Sequence, residues 1–119
     1  MAKILIADDS LVEIKILESI LHPTHHQLVI ARDGEEAEET AHAFHPDLIF
    51  LDVVMPKKNG FQVCRDLRNH PVFASTPIIL LTSKSQDSDK FWGKQQGATE
   101  YITKPYQSEQ ILGILAKYL

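Results

Sequence analysis

The chain has 119 residues, of which 44% are hydrophobic and 24% charged, and a formal net charge of −4 at pH 7. That length suits one domain with its own core, and the small acidic excess gives no reason to expect nucleic acid as a direct partner. No apolar run approaches the roughly 20 residues that span a bilayer, so no membrane insertion is expected. The lone cysteine excludes an internal disulfide and favours a reducing, cytoplasmic setting.

The first half of the chain alternates apolar runs with helical patterns. Lys3–Ala7 enters a buried-strand pattern at once, which leaves no room for a signal peptide. Ser10 and Glu13 form a capping-box pattern that opens a helix ending near Leu21. The pattern then predicts a short strand at Leu28–Ala31, a helix from Asp33 to about Phe44, and an apolar third strand, Leu48–Leu51.

The second half repeats the alternation. Its predicted elements, in chain order, are a helix from Phe61 to about Asn69, a strand Ile78–Leu81, a helix Ser85–Gln96, a strand Thr99–Ile102 and a helix Ser108–Leu119. Short connections between alternating strands and helices predict a (βα)5, doubly wound α/β fold of the flavodoxin-like type, with a five-stranded parallel sheet. Strands two and five are the least apolar and are expected at the edges, which gives the order 2-1-3-4-5. One domain over residues 1–119, without a separate output domain, is expected.

Polar side chains follow the apolar strands where ligands collect in such sheets. Asp8 and Asp9 follow strand one, Asp52 follows strand three, Thr82 follows strand four, and Lys104 follows strand five. At ~4 Å and an effective dielectric constant of ~20, each like-charge pair of carboxylates costs about 4 kcal/mol. Proteins tolerate such a cluster where a cation binds, and an all-oxygen set suits Mg²⁺. Carboxylate, Mg²⁺, lysine and hydroxyl together favour phosphoryl-transfer chemistry.

Over its whole length the chain resembles the receiver domains of two-component response regulators. The matching residues, at matching spacings, are Asp8-Asp9, Asp52, Met55-Pro56, Gly60, Thr82 and Lys104-Pro105. The resemblance implies that a histidine kinase phosphorylates Asp52, making the domain a self-phosphorylating and self-dephosphorylating switch rather than a turnover enzyme.

The resemblance also implies a role for each residue of the site. Asp9, Asp52 and the Val54 carbonyl would bind Mg²⁺ directly, and Asp8 would bind it through water. Thr82 and Lys104 would contact the phosphoryl group. As Thr82 moves toward that group, Tyr101 would turn inward. A cis peptide bond is implied before Pro105.

A narrower resemblance concerns helix four. The segments Asp89–Gly93 and Gln96–Ala98 are similar to stand-alone receivers of type IV pilus systems, which serve twitching motility and phototaxis. Output would then pass to a downstream protein, in the motility machinery, through the face of helix four, strand five and helix five. The domain would act as a monomer or weak dimer. The expected partner-facing aromatics are Phe91, Trp92 and Tyr101, although Phe91 and Trp92 lie roughly 100° apart and one of them could be core.

Three alternatives stay open on the sequence alone. A phosphate sink or an unphosphorylated docking domain would use the same residues. An aspartyl-phosphate phosphatase usually has a second Asp two positions after its nucleophile, where this chain has Val54. A flavin carrier would need a Ser/Thr/Gly-rich loop in place of Asp8-Asp9. Because Val54 cannot orient water by hydrogen bonding, a long-lived phosphoryl group is expected.

Overall fold

The computed structural model describes all residues from Met1 to Leu119. The strands are β1 Lys3–Ala7, β2 Gln27–Ala31, β3 Leu48–Leu51, β4 Ile78–Thr82 and β5 Glu100–Thr103. The α-helices are α1 Leu11–Leu21, α2 Gly34–Phe44, α3 Gly60–Arg68, α4 Asp87–Gln95 and α5 Ser108–Tyr118. Two short 3₁₀ helices, His22–Thr24 and Pro71–Phe73, occupy connections where proline fixes the backbone. None of the helices is long and apolar enough to cross a bilayer.

All strand pairs are parallel and the sheet order is β2-β1-β3-β4-β5, which confirms the predicted flavodoxin-like topology. Its register decides where the polar residues emerge. Ala7 pairs with Leu51, and the amide of Asp52 donates to the carbonyl of Ala7 over 2.9 Å. Asp8 and Asp52 therefore leave the sheet side by side.

Helices cover both faces of the sheet, because alternate strand residues bury their side chains on opposite sides. On one face, Leu5, Ile49 and Leu80 belong to a core cluster of 15 buried residues that the helices α2 and α3 complete. On the other, Ile4, Phe50 and Ile79 belong to a cluster of 13 that includes buried residues of α1 and α5. Helix α4 adds little to either core, since its one buried residue is Gly93.

Several element boundaries lie one or two residues from the sequence prediction, and two helix starts differ in their capping. The helix expected from Ser85 begins at Asp87, because Gln86 and Asp89 form a reciprocal cap. The capping box expected at Ser10 forms only in part. The Ser10 hydroxyl accepts from the amide of Glu13 at 3.3 Å, whereas the Ser10 amide donates to Oδ1 of Asp8 at 2.9 Å. The amide of Ser10 thus holds the Asp8 carboxylate instead of completing the capping box with Glu13.

Candidate functional site

Three carboxylates meet at the carboxyl edge of the sheet. Oxygen atoms of Asp8, Asp9 and Asp52 lie within 4.8 Å of one another. Asp8 and Asp52 are 5% and 9% exposed, whereas Asp9 is open to solvent. The cluster therefore has a buried part, Asp8 and Asp52, and a solvent-accessible rim at Asp9. The structure brings together the acidic residues that the sequence placed after strands one and three.

Backbone groups hold Asp52 in this position. The amide of Val53 donates to Oδ1 of Asp52 over 2.7 Å. The chain then turns back, and the amide of Gly60 donates to the carbonyl of Val53 over 2.8 Å. A side chain at Gly60 would collide with the carbonyl of Asp52, so the close return of α3 requires glycine.

Lys104 reaches the same cluster from β5. Its Nζ lies 2.7 Å from Oδ2 of Asp8, 3.4 Å from Oδ2 of Asp52 and 3.9 Å from Oε2 of Glu13. The Lys104 amide donates to the carbonyl of Thr82 over 2.8 Å, and the following bond to Pro105 is cis. Glu13 is an acidic neighbour that the sequence pattern did not single out, although its place in the first turn of α1 puts it close to the carboxylates that follow β1.

Burial and charge act in opposite directions on the titration of these groups. Burial raises the pKa of Asp52, and the neighbouring Asp8 raises it further against the opposing attraction of Lys104. Burial lowers the pKa of Lys104, but its hydrogen bond to Asp8 and the charge of Asp52 outweigh burial and leave that pKa above its usual value. Lys104 is thus a firmly cationic partner of crowded carboxylates.

The donor set fits a hydrated Mg²⁺ ion. The ligands on offer are all carboxylate oxygens, and the solvent-open side at Asp9 leaves room for the waters that Mg²⁺ retains. One lysine against three carboxylates leaves two negative charges uncompensated, which favours a divalent cation. The cluster of Asp8, Asp9 and Asp52 is typical of the Mg²⁺ site of receiver domains.

Thr82 and Tyr101 both form hydrogen bonds to the backbone of Lys84, in the connection between β4 and α4. Thr82 is fully buried, and its Oγ1 accepts from the amide of Lys84 at 3.4 Å. The hydroxyl of Tyr101 donates to the carbonyl of the same Lys84 over 2.6 Å. Burial, followed by the charges of Asp89 and Asp52, raises the pKa of Tyr101 to about 12. Tyr101 is therefore tied to the segment that follows Thr82.

The remaining predicted residues lie at the surface. Val54 is 59% exposed beside Asp52. Phe91 and Trp92 are 65% and 49% exposed, so neither is a core residue. Both face outward because the helix contacts the sheet through Gly93, whose missing side chain leaves space for Leu80 and Tyr101. A cavity of about 280 Å³ lies between α4 and β5, next to Tyr101.

A parallel five-stranded sheet with a Mg²⁺-type acidic cluster and a lysine at its carboxyl edge defines a small class of α/β signalling proteins. The family described as "Response regulator receiver domain" matches residues 4–116, and the chain belongs to that family. It is accordingly a domain of two-component signalling, a phosphorylation switch rather than a turnover enzyme, in a family whose members take the phosphoryl group from histidine kinases.

Several relatives match over nearly the full chain. Protein PilH of Pseudomonas aeruginosa is 42% identical over 112 residues, covering 94% of this chain and 93% of the relative. The chemotaxis response regulator CheY4 of Vibrio cholerae superposes with a TM-score of 0.92 at 34% identity, covering 100% and 99% of the two chains. The receiver domain of sensor histidine kinase PA1611 from Pseudomonas aeruginosa, solved with a magnesium ion in its active site cleft, gives 0.90 at 26% identity, covering 98% and 96%.

Proposed function

We propose that Asp52 accepts a phosphoryl group from a histidine kinase in a Mg²⁺-dependent reaction. The observation that supports this is the convergence of three strand-end carboxylates with Lys104 Nζ, which lies 2.7 Å from Asp8 and 3.4 Å from Asp52. An oxygen of Asp52 attacks phosphorus, the bond from phosphorus to the donor imidazole nitrogen breaks, and that nitrogen keeps the electron pair. The transfer is an exchange of one high-energy linkage for another, with no other reactant.

Each neighbour of Asp52 has a part in that transfer. Asp9, Asp52 and the carbonyl of Val54 would hold Mg²⁺ directly, with Asp8 holding it through water; the ion would neutralise charge on the phosphoryl oxygens. Lys104 lies between Asp8 and Asp52, so its ammonium can pass from the carboxylate to a phosphoryl oxygen with a small movement. The buried hydroxyl of Thr82 supplies a further donor once it turns from the Lys84 amide.

Output runs through α4, β5 and α5 to a downstream protein. A shift of Thr82 would be felt at Lys84 and, through the 2.6 Å hydrogen bond, at Tyr101. Helix α4 can respond because it has only Gly93 in the interior. The exposed rings of Phe91 and Trp92 lie on this face and suit a protein partner. The 42% identity to protein PilH supports a place for this switch in type IV pilus motility.

The test is intact-mass spectrometry after incubation with acetyl phosphate. The wild-type protein should gain one phosphoryl group with Mg²⁺ and none with a chelator, because metal is needed to neutralise the transferring group. Asp52→Asn should gain none in either condition. Exposed Asp47→Asn is the matched control and should behave as the wild type. A phosphoryl group on Asp52→Asn, or one that forms equally well without metal, would overturn the proposal.

A further inference from the structure

The connection between β3 and α3 contains a lysine that bridges two helices. The side chain of Lys58 is 24% exposed, and its Nζ lies 3.0 Å from Oε2 of Glu38 on α2 and 2.9 Å from Oδ2 of Asp66 on α3. Hydrogen bonds to Asp66 and Glu38 raise the pKa of Lys58 to about 12. The Lys58 ammonium is therefore fully charged at neutral pH.

Backbone contacts hold the same connection against the start of α2. The amide of Gly34 donates to the carbonyl of Pro56 over 3.3 Å. A side chain at Gly34 would collide with the carbonyl of Lys58, so the two backbones touch. Lys57 adopts a left-handed backbone with φ of 71°, and its Nζ lies 3.7 Å from Oδ2 of Asp33. Lys58 thus belongs to a connection that packs its backbone directly against α2 and includes a residue, Lys57, in the left-handed region.

This connection begins with the groups that surround Asp52. The Val53 amide is bonded to Asp52, and the Val53 carbonyl accepts from Gly60. Val54 is mostly exposed, so its own side chain does little to fix the backbone there. Met55 is buried in the core next to α2 and α3, and beyond it Lys58 supplies the polar attachment to both helices.

We propose that Lys58 is a positioning residue for the Mg²⁺ site. By tying the connection to Glu38 and Asp66, it keeps the Val53 amide on Asp52 and would hold the Val54 carbonyl in place for a bound ion. This inference depends on the proposed function, in which that carbonyl is a metal ligand. Groups that orient metal ligands contribute to affinity without touching the metal, and their loss typically weakens binding by about 10-fold or more.

The test measures the Mg²⁺ dissociation constant by titration calorimetry. Lys58→Ala should weaken Mg²⁺ binding by about 10-fold. Lys58→Arg should restore most of the affinity, because a guanidinium can bond both carboxylates. Lys57→Ala is the matched control: it removes the adjacent lysine, whose only ion pair is the 3.7 Å contact with Asp33, and should change affinity little.

A second readout uses no metal at all. In the metal-free protein, amide hydrogen exchange at Gly34 and Gly60 should be faster in Lys58→Ala than in the wild type, and unchanged in Lys57→Ala. Should Lys58→Ala fail to fold, Asp66→Asn replaces it; that variant keeps the Glu38 contact and should weaken Mg²⁺ binding by a smaller factor.

Three results would overturn the inference. One is a folded Lys58→Ala, or Asp66→Asn in its place, with wild-type Mg²⁺ affinity. Another is an equal loss of Mg²⁺ affinity in Lys57→Ala, because the effect would then come from net charge alone. The third is a wild-type protein that binds no Mg²⁺, and this result alone would also overturn the proposed function.

Discussion

The carboxylate of Asp52 is buried beside that of Asp8, with Lys104 as their shared cation. Burial raises the pKa of Asp52 above its usual value, so ionising this group opposes folding. The folded protein holds the Asp52 proton more tightly than the unfolded chain does. Stability from this group is therefore present at low pH and is lost as the pH rises from about 4 through the folded-state pKa.

Asp52→Asn should consequently stabilise the metal-free protein. We expect the free energy of unfolding at pH 7 to rise by about 1 kcal/mol, since the neutral amide removes both the burial penalty and the repulsion from Asp8. The gain should shrink as the pH falls through the raised folded-state pKa of Asp52, where the wild-type carboxyl binds its proton, and it should be lost by about pH 4. Urea denaturation with a chelator, across that pH range, measures it. A less stable variant at pH 7 would show that attraction to Lys104 outweighs burial.

The exposed side chain of Val54 lies two residues after Asp52, the proposed phosphoacceptor, and offers no hydrogen bond to an attacking water. Val54→Asn should shorten the lifetime of the phosphoryl group by about 5-fold, because one hydrogen bond contributes about 1 kcal/mol. Val54→Ala, which also lacks a donor, is the control and should leave the lifetime unchanged. The loss of phosphoryl mass after removal of acetyl phosphate gives both rates. Equal lifetimes for the Asn and Ala variants would contradict the expectation.

Two helical glycines differ in what surrounds them. A side chain at Gly93 in α4 would lie 2.8 Å from Cδ1 of Leu80 and 3.0 Å from Cδ2 of Tyr101, whereas one at Gly113 in α5 would meet nothing within 4 Å. Gly113→Ala should therefore stabilise the protein by about 0.5–1 kcal/mol through helix propensity. Gly93→Ala gains the same propensity but must displace Tyr101 or Leu80, and we expect a net loss of about 1 kcal/mol.

Urea denaturation of both variants gives the comparison, with the Tyr101 ring resonances of Gly93→Ala as a structural check. The chemical shifts of the Tyr101 ring should change in Gly93→Ala and stay as in the wild type in Gly113→Ala. A Gly93→Ala protein as stable as Gly113→Ala, with Tyr101 in place, would mean that α4 can move away from the sheet without loss. The absence of a side chain at Gly93 thus lets α4 pack closely against Leu80 and Tyr101.

Most of the fold followed from short-range sequence signals. Apolar runs at Leu48–Leu51 and Ile78–Leu81 specify strands buried on both faces, and the polar residues that follow them specify the edge where the site forms. The outward placement of both Phe91 and Trp92 did not follow, because it depends on α4 contacting the sheet through a glycine.

The surroundings of the connection after β3 were equally hidden from the sequence. The bridge of Lys58 to Glu38 and Asp66 joins residues of two different helices and a loop. Asp66 is the single acid of α3, but nothing in the charge pattern selects Glu38 from Glu35, Glu36 and Glu39 on α2. Pairings of this kind depend on how the helices are placed on the sheet, which periodicity alone does not determine.

The apolar core and the proposed functional site lie in different parts of the molecule. The two apolar clusters lie on opposite faces of the sheet, and the buried carboxylates Asp8 and Asp52 lie at its carboxyl edge. Lys104 is the cation that pairs with both Asp8 and Asp52. One positive charge does not balance the clustered carboxylates, so charge repulsion between them remains in the metal-free protein. A ligand that relieves this repulsion binds the folded chain and not the unfolded one, and it must stabilise the whole domain.

Mg²⁺ should therefore raise the free energy of unfolding in proportion to the logarithm of its concentration. At 100 times the dissociation constant the expected gain is about 2.7 kcal/mol, which thermal or urea denaturation resolves easily. Asp9→Asn removes a rim carboxylate and should reduce the gain, whereas Glu39→Gln, an exposed change on α2, should leave it intact. NaCl at matched ionic strength separates binding from screening. Equal stabilisation by NaCl, or an undiminished gain in Asp9→Asn, would show that the acidic cluster does not bind the ion that the proposed phosphorylation requires.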